Sequence, residues 1–352
     1  MNARGDRGRA ASLRGWGGVG AMAVGCALAL AAVSLLPLTQ STGSQDDEQG
    51  GSPGHITAGS QARADSCTAP EKQTLPPSTA DGPTIDAIKA RQGDKRKLIV
   101  GVDQNSYRWG YRNPNSESPE LEGFDIDLAH RIAADILGDP NAVQFRAIPT
   151  NKRTDVLQKD HAGGDQVDMV VRTMTITCDR LSKVAFSAPY FKTGQQVLAQ
   201  KSSSITGYND TLAGRRVCTA TGSTAYTTLR AAMAAGRLPS SVDTSVTVPN
   251  QLDCLARLQL GDVDAVITDG ALAASQAAQD PTVELKGKAF TTEYYGVAMN
   301  RNADDLVRRV NQVLVEFRAT GWQKAYDEWL SATLGKDSAP SRPPAPQYLR
   351  TS

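Results

Sequence analysis

The stretch Gly123-Phe-Asp-Ile-Asp-Leu-Ala-His-Arg-Ile-Ala-Ala-Asp-Ile-Leu137 predicts an amphipathic helix. Its apolar residues recur every three or four positions, which is the spacing of one helix face. Gly138 and Pro140 follow it and favour the end of the helix at that point. A β-rich run lies on each side, at 97–102 and 143–148. A strand, a helix and a second strand in this order are typical of a parallel sheet covered by helices.

The same alternation continues through the rest of the chain. Further strands are predicted at 167–174, 197–199, 216–219, 246–248, 263–268 and 295–300, and helices at 154–159, 224–235, 252–260 and 306–317. This pattern of about 240 residues suits two modest lobes better than one large domain. We therefore predict an α/β fold with two lobes, in which parallel-rich sheets are flanked by helices.

Composition excludes several classes of protein. The 352 residues carry 38 Lys and Arg against 37 Asp and Glu, a formal net charge of +1. A nucleic-acid-binding protein that depends on bulk electrostatics would carry a strong basic excess. The mean hydropathy of −0.36 excludes a polytopic membrane protein. Only three histidines occur, none in metal-ligand or nucleophile spacing, so we expect no cofactor, no metal and no covalent catalysis.

The N-terminal region has a different character. Four arginines and one acidic residue precede an apolar stretch at 19–38. A basic segment before about 20 apolar residues predicts an export segment over 1–40, either a cleaved signal peptide or a membrane anchor. Lipidation at Cys26 is a further alternative. Residues 41–94 are rich in Ser, Thr, Gly, Gln and Pro, which predicts a flexible linker, and the Pro-rich tail 335–352 is interpreted in the same way.

Four cysteines follow the export segment, namely Cys67, Cys178, Cys218 and Cys254. An even number of cysteines in an exported chain favours two disulfides, for which three pairings are possible. Cys218 lies on a predicted strand and Cys254 on a helix of the same predicted lobe, so we pair these two. The second disulfide would then join Cys67 to Cys178. The absence of Cys-x-x-Cys disfavours a zinc site.

Three short segments stand at the ends of predicted strands, where ligands bind in open α/β sheets. They are Arg172–Arg180, Cys218–Thr224 and Val266–Asp269. The Gly-Ser-Thr turn that precedes a predicted helix offers backbone N–H groups to an anion. The guanidinium of Arg180 can bind a carboxylate in a two-pronged geometry, and Asp269 can bind an ammonium group. Together these groups match a free α-amino acid.

Several motifs resemble those of the family 3 extracellular solute-binding proteins, the amino-acid-binding components of ABC importers. The motifs are Gly123-Phe-Asp-Ile-Asp-Leu-Ala, Thr173-Met-Thr-Ile-Thr-Cys-Asp-Arg, Phe186-Ser-Ala-Pro-Tyr, Gly261-Asp-Val-Asp-Ala-Val-Ile-Thr-Asp and Tyr295-Gly-Val-Ala. The resemblance covers about 95–333. Within the family, the chain resembles in particular the actinobacterial glutamine- and glutamate-binding members, which share the cysteine motifs. The resemblance implies a type II periplasmic-binding-protein-like fold that closes by a hinge.

The resemblance also implies boundaries and partners. Lobe 1 would comprise 95–189 plus 296–334, and lobe 2 would comprise 195–291, with hinge crossings near 190–194 and 292–295. The protein would be exported to the outer face of the cytoplasmic membrane and would act as a monomer with an ABC permease. An amino-acid sensor that docks on a membrane receptor or kinase pathway is the alternative. A dehydratase on the same fold is a remote alternative.

Carried over by position, the resemblance assigns the ligand contacts residue by residue. Arg180 would bind the α-carboxylate and Asp269 the ammonium group. Thr175 would contribute its hydroxyl or backbone groups, and Thr173 a carbonyl to the ammonium group. The remaining donors, the N–H groups of the helix turn, would come from Ser223 and Thr224.

One region departs from the family pattern. Family members usually have an aromatic–Pro–Phe wall where this chain has Ser106-Tyr107-Arg108-Trp109-Gly110-Tyr111, so Tyr107 and Trp109 are the expected aromatic contacts. Arg172 stands where a small residue is frequent. Arg108 and Arg172 would add two cations near the pocket, and an unpaired buried cation is costly. We therefore expect glutamate or aspartate as the ligand in preference to glutamine.

Overall fold

The computed structural model describes residues 67–117, 120–158 and 166–351. The predicted export segment, with Cys26, and the first part of the predicted linker lie outside these residues. The strands are, in chain order, β1 Leu98–Val102, β2 Asn105–Ser106, β3 Gly110–Arg112, β4 Leu121–Glu122, β5 Val143–Ala147, β6 Met169–Val170, β7 Val184–Phe186, β8 Phe191–Thr193, β9 Gln195–Gln200, β10 Val217–Ala220, β11 Thr247–Val248, β12 Ala265–Asp269, β13 Val283–Lys286, β14 Glu293–Tyr295 and β15 Ala298–Asn300.

The α-helices of the described residues are, in chain order, α1 Pro83–Lys89, α2 Phe124–Leu137, α3 Cys178–Leu181, α4 Thr224–Ala234, α5 Gln251–Gln259, α6 Gly270–Gln279, α7 Asp304–Thr320, α8 Trp322–Ala325 and α9 Ser331–Leu334. A π-helical turn, Tyr326–Leu330, joins α8 to α9. No helix among the described residues combines the length and the apolarity needed to cross a membrane. The segment predicted as a helix at 154–159 instead contains a short 3₁₀ turn, Asp155–Leu157.

Two five-stranded sheets have the same internal pattern. The first has the order β5-β1-β6-β15-β7 and the second the order β11-β10-β12-β9-β13. In each sheet the first three strands run parallel, and the fourth, β15 or β9, runs antiparallel to both of its neighbours. We call the bodies built on these sheets the first and the second lobe. The chain crosses from the other lobe directly into each of these two antiparallel strands.

Two short strands connect the lobes. β8 leads from the first sheet into β9, and β14 leads back from β13 to β15. They pair antiparallel, with Phe191 opposite Tyr295 and Thr193 opposite Glu293. A side chain on Gly194 would clash with the carbonyl group of Thr291, so glycine is required where β8 ends. The two connections therefore form one narrow hinge.

The cores explain why the helices lie where the sequence predicts them. Helix α2 buries Phe124, Leu128, Ile132 and Ile136 against the first sheet, which is the face expected from the 3.6-residue period. The second sheet has an apolar cluster on each face, one packed under α4 and the other under α5. Each lobe thus has its own hydrophobic core.

The segment before β1 is not a linker over its whole predicted length. Leu75 is buried, and α1 buries Ile85 and Ile88 in the core of the first lobe. The Thr74 hydroxyl donates a hydrogen bond of 2.7 Å to the carbonyl of Phe186. The prediction of a flexible linker is therefore wrong for 67–94. A few apolar residues at helical spacing within a polar segment are sufficient to fasten it to the lobe.

The C-terminal segment is also fastened to the first lobe, contrary to the prediction of a mobile tail. The N–H groups of Leu349 and Arg350 donate to the carbonyls of Lys72 and Thr74, at 2.9 and 3.1 Å. The guanidinium of Arg350 forms an ion pair with Asp304 at 2.7 Å. The proline content had suggested a solvated chain, but backbone pairing with the segment before β1 holds the tail in place.

Both predicted disulfides are confirmed. Cys67 is bonded to Cys178, and Cys218 to Cys254. The first attaches the N-terminal end of the described chain to α3, and the second joins β10 to α5 within the second lobe.

Candidate functional site

The carboxyl ends of the parallel strands of both lobes face one another, and the lobes are in direct contact there. The N–H group of Thr150 donates to the carbonyl of Pro249 at 3.0 Å, and its hydroxyl donates to Gln251 Oε1 at 3.0 Å. Most of the residues predicted to bind a ligand lie beside this contact. We call this region the cleft.

Arg180 is placed by the short helix α3. The Thr177 hydroxyl caps this helix by accepting a hydrogen bond from the Arg180 N–H group. The guanidinium donates to the carbonyl of Thr175 at 2.6 Å and across the cleft to the carbonyl of Gly222 at 3.1 Å. Burial lowers the pKa of Arg180 from its ordinary value. Among the described residues, no carboxylate lies within ion-pair distance of this guanidinium.

The Gly-Ser-Thr turn of the second lobe packs closely against the first. Gly222 has φ of 76°, and a Cβ atom there would lie 2.8 Å from the Cα of Asn151, so only glycine fits. The Ser223 hydroxyl caps α4 by accepting from the N–H group of Tyr226. Thr224 follows as the first residue of the helix, and its hydroxyl donates to Glu293 at 2.9 Å. The turn thus reaches the hinge as well as the cleft.

Two acidic side chains, Asp269 at the end of β12 and Glu293 at the start of β14, share one amide donor. Gln195 Nε2 donates to Asp269 and, at 2.9 Å, to Glu293. The Tyr295 hydroxyl donates to Asp269 at 2.6 Å, and the Thr175 hydroxyl donates to Glu293 at 2.7 Å. Burial, and next the charge of Glu293, raise the pKa of Asp269 to about 7. This pair can accept an ammonium group.

Thr173 has an uncommon backbone conformation, with φ of 42°. Its N–H group donates to Asp125 at 2.9 Å, and the same carboxylate accepts from the Tyr190 hydroxyl at 2.8 Å. Burial raises the pKa of Asp125 to about 7. Asp125 therefore ties the site segment to the residue that precedes β8. The predicted strand at 167–174 is limited to β6, because the backbone turns at this point.

Arg172 is fully buried, and its two terminal nitrogens have three oxygen partners, while its Nε has no hydrogen-bond partner among the described residues. It forms an ion pair with Asp103 at 2.9 Å and donates to the Thr150 hydroxyl and to Asn250 Oδ1, each at 3.1 Å. The prediction of a cation available to the ligand does not fit this geometry, since Asp103 already balances the charge.

Arg153, which the sequence analysis did not identify, lies in the same region and is 3% exposed. Its Nε donates to the carbonyl of Thr150 at 3.0 Å, and Nη1 lies 3.3 and 3.5 Å from the carbonyls of Arg172 and Thr173. Within the described ranges it has no carboxylate at ion-pair distance. Burial, followed by the charges of two nearby arginines, holds its pKa well below the ordinary value.

One of the two aromatic residues expected at the cleft, Trp109, has a different position. Trp109 is fully buried and packs edge-on against Phe191 and Tyr295, with ring centroids 4.8 and 5.7 Å apart. It therefore supports the hinge strands from behind. Tyr107 is half-buried and packs edge-on against Tyr111.

Arg108 does not add a cation to the cleft. Its backbone has φ of 67°, and its guanidinium donates to the carbonyl of Trp329 at 3.0 Å. Carbonyl groups near the end of a helical segment are natural acceptors for a cation. Neither of the two expected arginines is therefore an unpaired cation at the cleft, whereas Arg153, at a different position, is buried there without an acidic partner among the described residues.

The described residues contain no cluster of His, Cys, Asp and Glu that could hold a metal ion. Gln195, Glu293 and Asp125 complete the polar cluster. Gln195 is the first residue of β9, and a single amide at the edge of a predicted strand gives no local signal.

Two α/β lobes, a paired-strand hinge and a buried polar cleft are the architecture of a two-lobed solute-binding protein. The family model described as bacterial extracellular solute-binding proteins, family 3, matches residues 98–332. The chain belongs to this family. Members of the family are binding proteins rather than enzymes, so the dehydratase alternative is excluded.

Similar proteins bind amino acids. The chain is 34% identical to the ABC transporter glutamine-binding protein GlnH of Bacillus subtilis over 248 residues, which cover 70% of this chain and 84% of that protein. It is 27% identical to the glutamate-binding protein GluB of Corynebacterium efficiens over 252 residues, covering 68% and 80%.

Solved structures of the same architecture include an ancestral arginine-binding protein bound to arginine. That protein has a TM-score of 0.58 and 30% identity, and the match covers 66% of this chain and 97% of the other. The solute receptor for L-cysteine of Neisseria gonorrhoeae, at 24% identity and a TM-score of 0.64 over 75% and 100% of the chains, shares the fold. The fold is therefore that of the type II periplasmic binding proteins.

Proposed function

We propose that this protein binds a free amino acid with an acidic side chain, glutamate or aspartate, between its lobes and delivers it to an ABC permease outside the cytoplasmic membrane. Glutamine, for which the relative from Bacillus subtilis is named, is the alternative ligand.

The observation that carries the proposal is a pair of buried arginines that bond only to carbonyl oxygens. Arg180 and Arg153 are 8% and 3% exposed, and neither has an ion-pair partner among the described residues. A buried cation without an opposite charge is costly, and a ligand carboxylate removes that cost. Two such cations suit a ligand with two carboxylates. We assign the α-carboxylate to Arg180 and the side-chain carboxylate to Arg153.

The opposite pole of the cleft suits the ammonium group. Asp269 and Glu293 are buried side by side, and they share the donor Gln195. An ammonium group would relieve the repulsion between these two acids and supply further hydrogen-bond donors. The Thr173 carbonyl, already close to Arg153, is the backbone acceptor that we assign to the same group.

The charge of Arg153 gives the expected preference for an acidic side chain. Arg172 does not contribute to this preference, because its charge is balanced by Asp103. Glutamate and glutamine differ little in size, so an unpaired guanidinium at the side-chain position is the feature that would separate them.

Isothermal titration calorimetry with glutamate, aspartate, glutamine, asparagine and arginine tests the proposal. We expect glutamate or aspartate to bind most tightly, and Arg153→Met to reduce the preference for glutamate over glutamine at least tenfold. Arg309→Met is the matched control, because Arg309 is an equally buried arginine that pairs with Asp81 and Asp135 outside the cleft. Tight binding of arginine with no response to either acidic amino acid would refute the proposal.

A further inference from the structure

The ion pair of Arg172 and Asp103 is the most enclosed charge pair in the protein's described residues, with side chains 0% and 5% exposed. The guanidinium also donates to Thr150 and Asn250. A buried ion pair adds little net stability, because desolvation of both charges offsets their attraction. Its position in the molecule therefore requires a separate explanation.

The pair lies in the cleft. Asp103 follows β1 directly, and Arg172 lies two residues beyond the end of β6, so both stand at the carboxyl edge of the first sheet. The guanidinium then reaches Asn250, the residue that caps α5 in the second lobe. The Arg172 side chain thus bridges the two lobes beside the segment that leads to Arg180.

Asp103 is oriented as a cation-binding group. Its Oδ1 accepts the N–H groups of Gln104 and Asn105 at 2.8 and 3.0 Å, and its Oδ2 accepts the Ser106 hydroxyl at 2.9 Å. These donors fix the direction of the carboxylate. The group that pairs with this carboxylate from the cleft side is the guanidinium of Arg172. A guanidinium is also the terminal group of a free arginine.

We infer that Arg172 occupies, from within the chain, the position that the cationic side chain of a basic amino acid would take, and that it thereby excludes arginine and lysine from the cleft. The inference rests on the proposed function only in that the cleft binds an amino acid. In this inference Arg172 contributes to specificity by excluding basic amino acids, whereas Arg153 contributes by attracting an acidic side chain.

Arg172→Ser tests the inference, because it removes the internal guanidinium and leaves Asp103 facing the vacated space. With the full chain, calorimetry with L-arginine and L-lysine should show at least a tenfold gain in affinity for arginine over wild type. Arg172→Lys, which keeps a cation, should show no gain. The double variant Asp103→Asn/Arg172→Ser should lose the gain, and Arg309→Ser controls for the loss of a buried, paired arginine elsewhere.

A folded Arg172→Ser variant with unchanged arginine affinity overturns the inference, and so does wild-type protein that binds arginine as tightly as the variant. Glutamate titrations of wild type address the proposed function separately. Should Arg172→Ser fail to fold, Asp103→Asn breaks the same pair from the acidic side and frees the guanidinium to face the ligand. Its preference for glutamate over glutamine should rise at least threefold, and an unchanged preference overturns the inference.

Discussion

Ligand affinity should weaken as the pH falls below about 7, because the group assigned to the ligand ammonium is a carboxyl with a raised pKa. Burial, together with the charge of Glu293, raises the pKa of Asp269 from 3.8 to about 7. A ligand ammonium beside Asp269 favours the ionised form. Below pH 7 the carboxyl must therefore release a proton before it can bind, and that cost lowers the observed affinity.

The magnitude follows from the fraction of Asp269 that is ionised in the free protein. With a free pKa of about 7 and a bound value near the ordinary one, affinity changes by up to about tenfold per pH unit, or about 90-fold between pH 8 and pH 5. The side chain of free glutamate has a pKa of about 4.3 and stays mostly ionised over this range. The slope is therefore a property of the protein.

Calorimetry at several pH values, in buffers of different ionisation enthalpy, measures both the slope and the number of protons released. At about pH 5.5 close to one proton should be released for each ligand bound. Asp269→Asn should flatten the profile and lower affinity at pH 8 by about 10- to 100-fold, since a charged hydrogen bond is lost. Asp125→Asn is the matched control, because it removes an acid of similar pKa to which no ligand contact is assigned. The dependence of affinity on pH should persist in this variant. A flat wild-type profile would refute the assignment of Asp269 to the ammonium group.

Four further outcomes are expected. Arg180→Met should reduce affinity for every α-amino acid at least 100-fold in calorimetry, because the α-carboxylate loses its cation. Gly222→Ala should weaken binding and also lower the denaturant midpoint, since the added Cβ meets Asn151 where the lobes touch and an alanine at a φ of 76° is strained. Replacing Cys218 and Cys254 by serine should lower the unfolding free energy by about 4 kcal/mol in urea titrations, as expected for a loop of this length. The unfolding free energy should fall as the pH rises from about 4 to about 7, because the raised pKa of Asp125 makes the folded state bind more protons than the unfolded one, and Asp125→Asn should reduce that slope.

The fold was predictable because its signals are local. The spacing of apolar residues in α2 and the alternation of strands and helices require only neighbouring residues, and the hinge strands coincide with the predicted crossings at 190–194 and 292–295. The expectation that Arg180 and Asp269 lie near each other has a related basis, because strand ends converge in this type of sheet. The cysteine pairing also followed from position along the chain.

The remaining features depend on distant residues. Nothing near Arg172 indicates that Asp103, 69 positions earlier, balances its charge. Arg153 stands in a polar run beside a segment predicted as a helix, and its burial arises from contacts with the segment at 172–173. The segment 67–94 is fastened by burial of Leu75, Ile85 and Ile88 in the core of the first lobe, and the tail by backbone pairing with the segment at 72–74. The raised pKa of Asp269 likewise depends on burial, which local sequence does not encode.

The pairing of the segment at 72–74 with the segment at 349–350 has a practical consequence for reporters of ligand binding. Both segments are fastened to the first lobe, so labels attached near them travel together when the hinge bends. A pair of fluorescent proteins fused at these two places would show almost no change in energy transfer. A useful reporter needs its second dye on the other lobe, for example at the exposed Leu260 beyond α5. For the same reason, immobilising the protein through either segment on a sensor chip should leave the second lobe free to close.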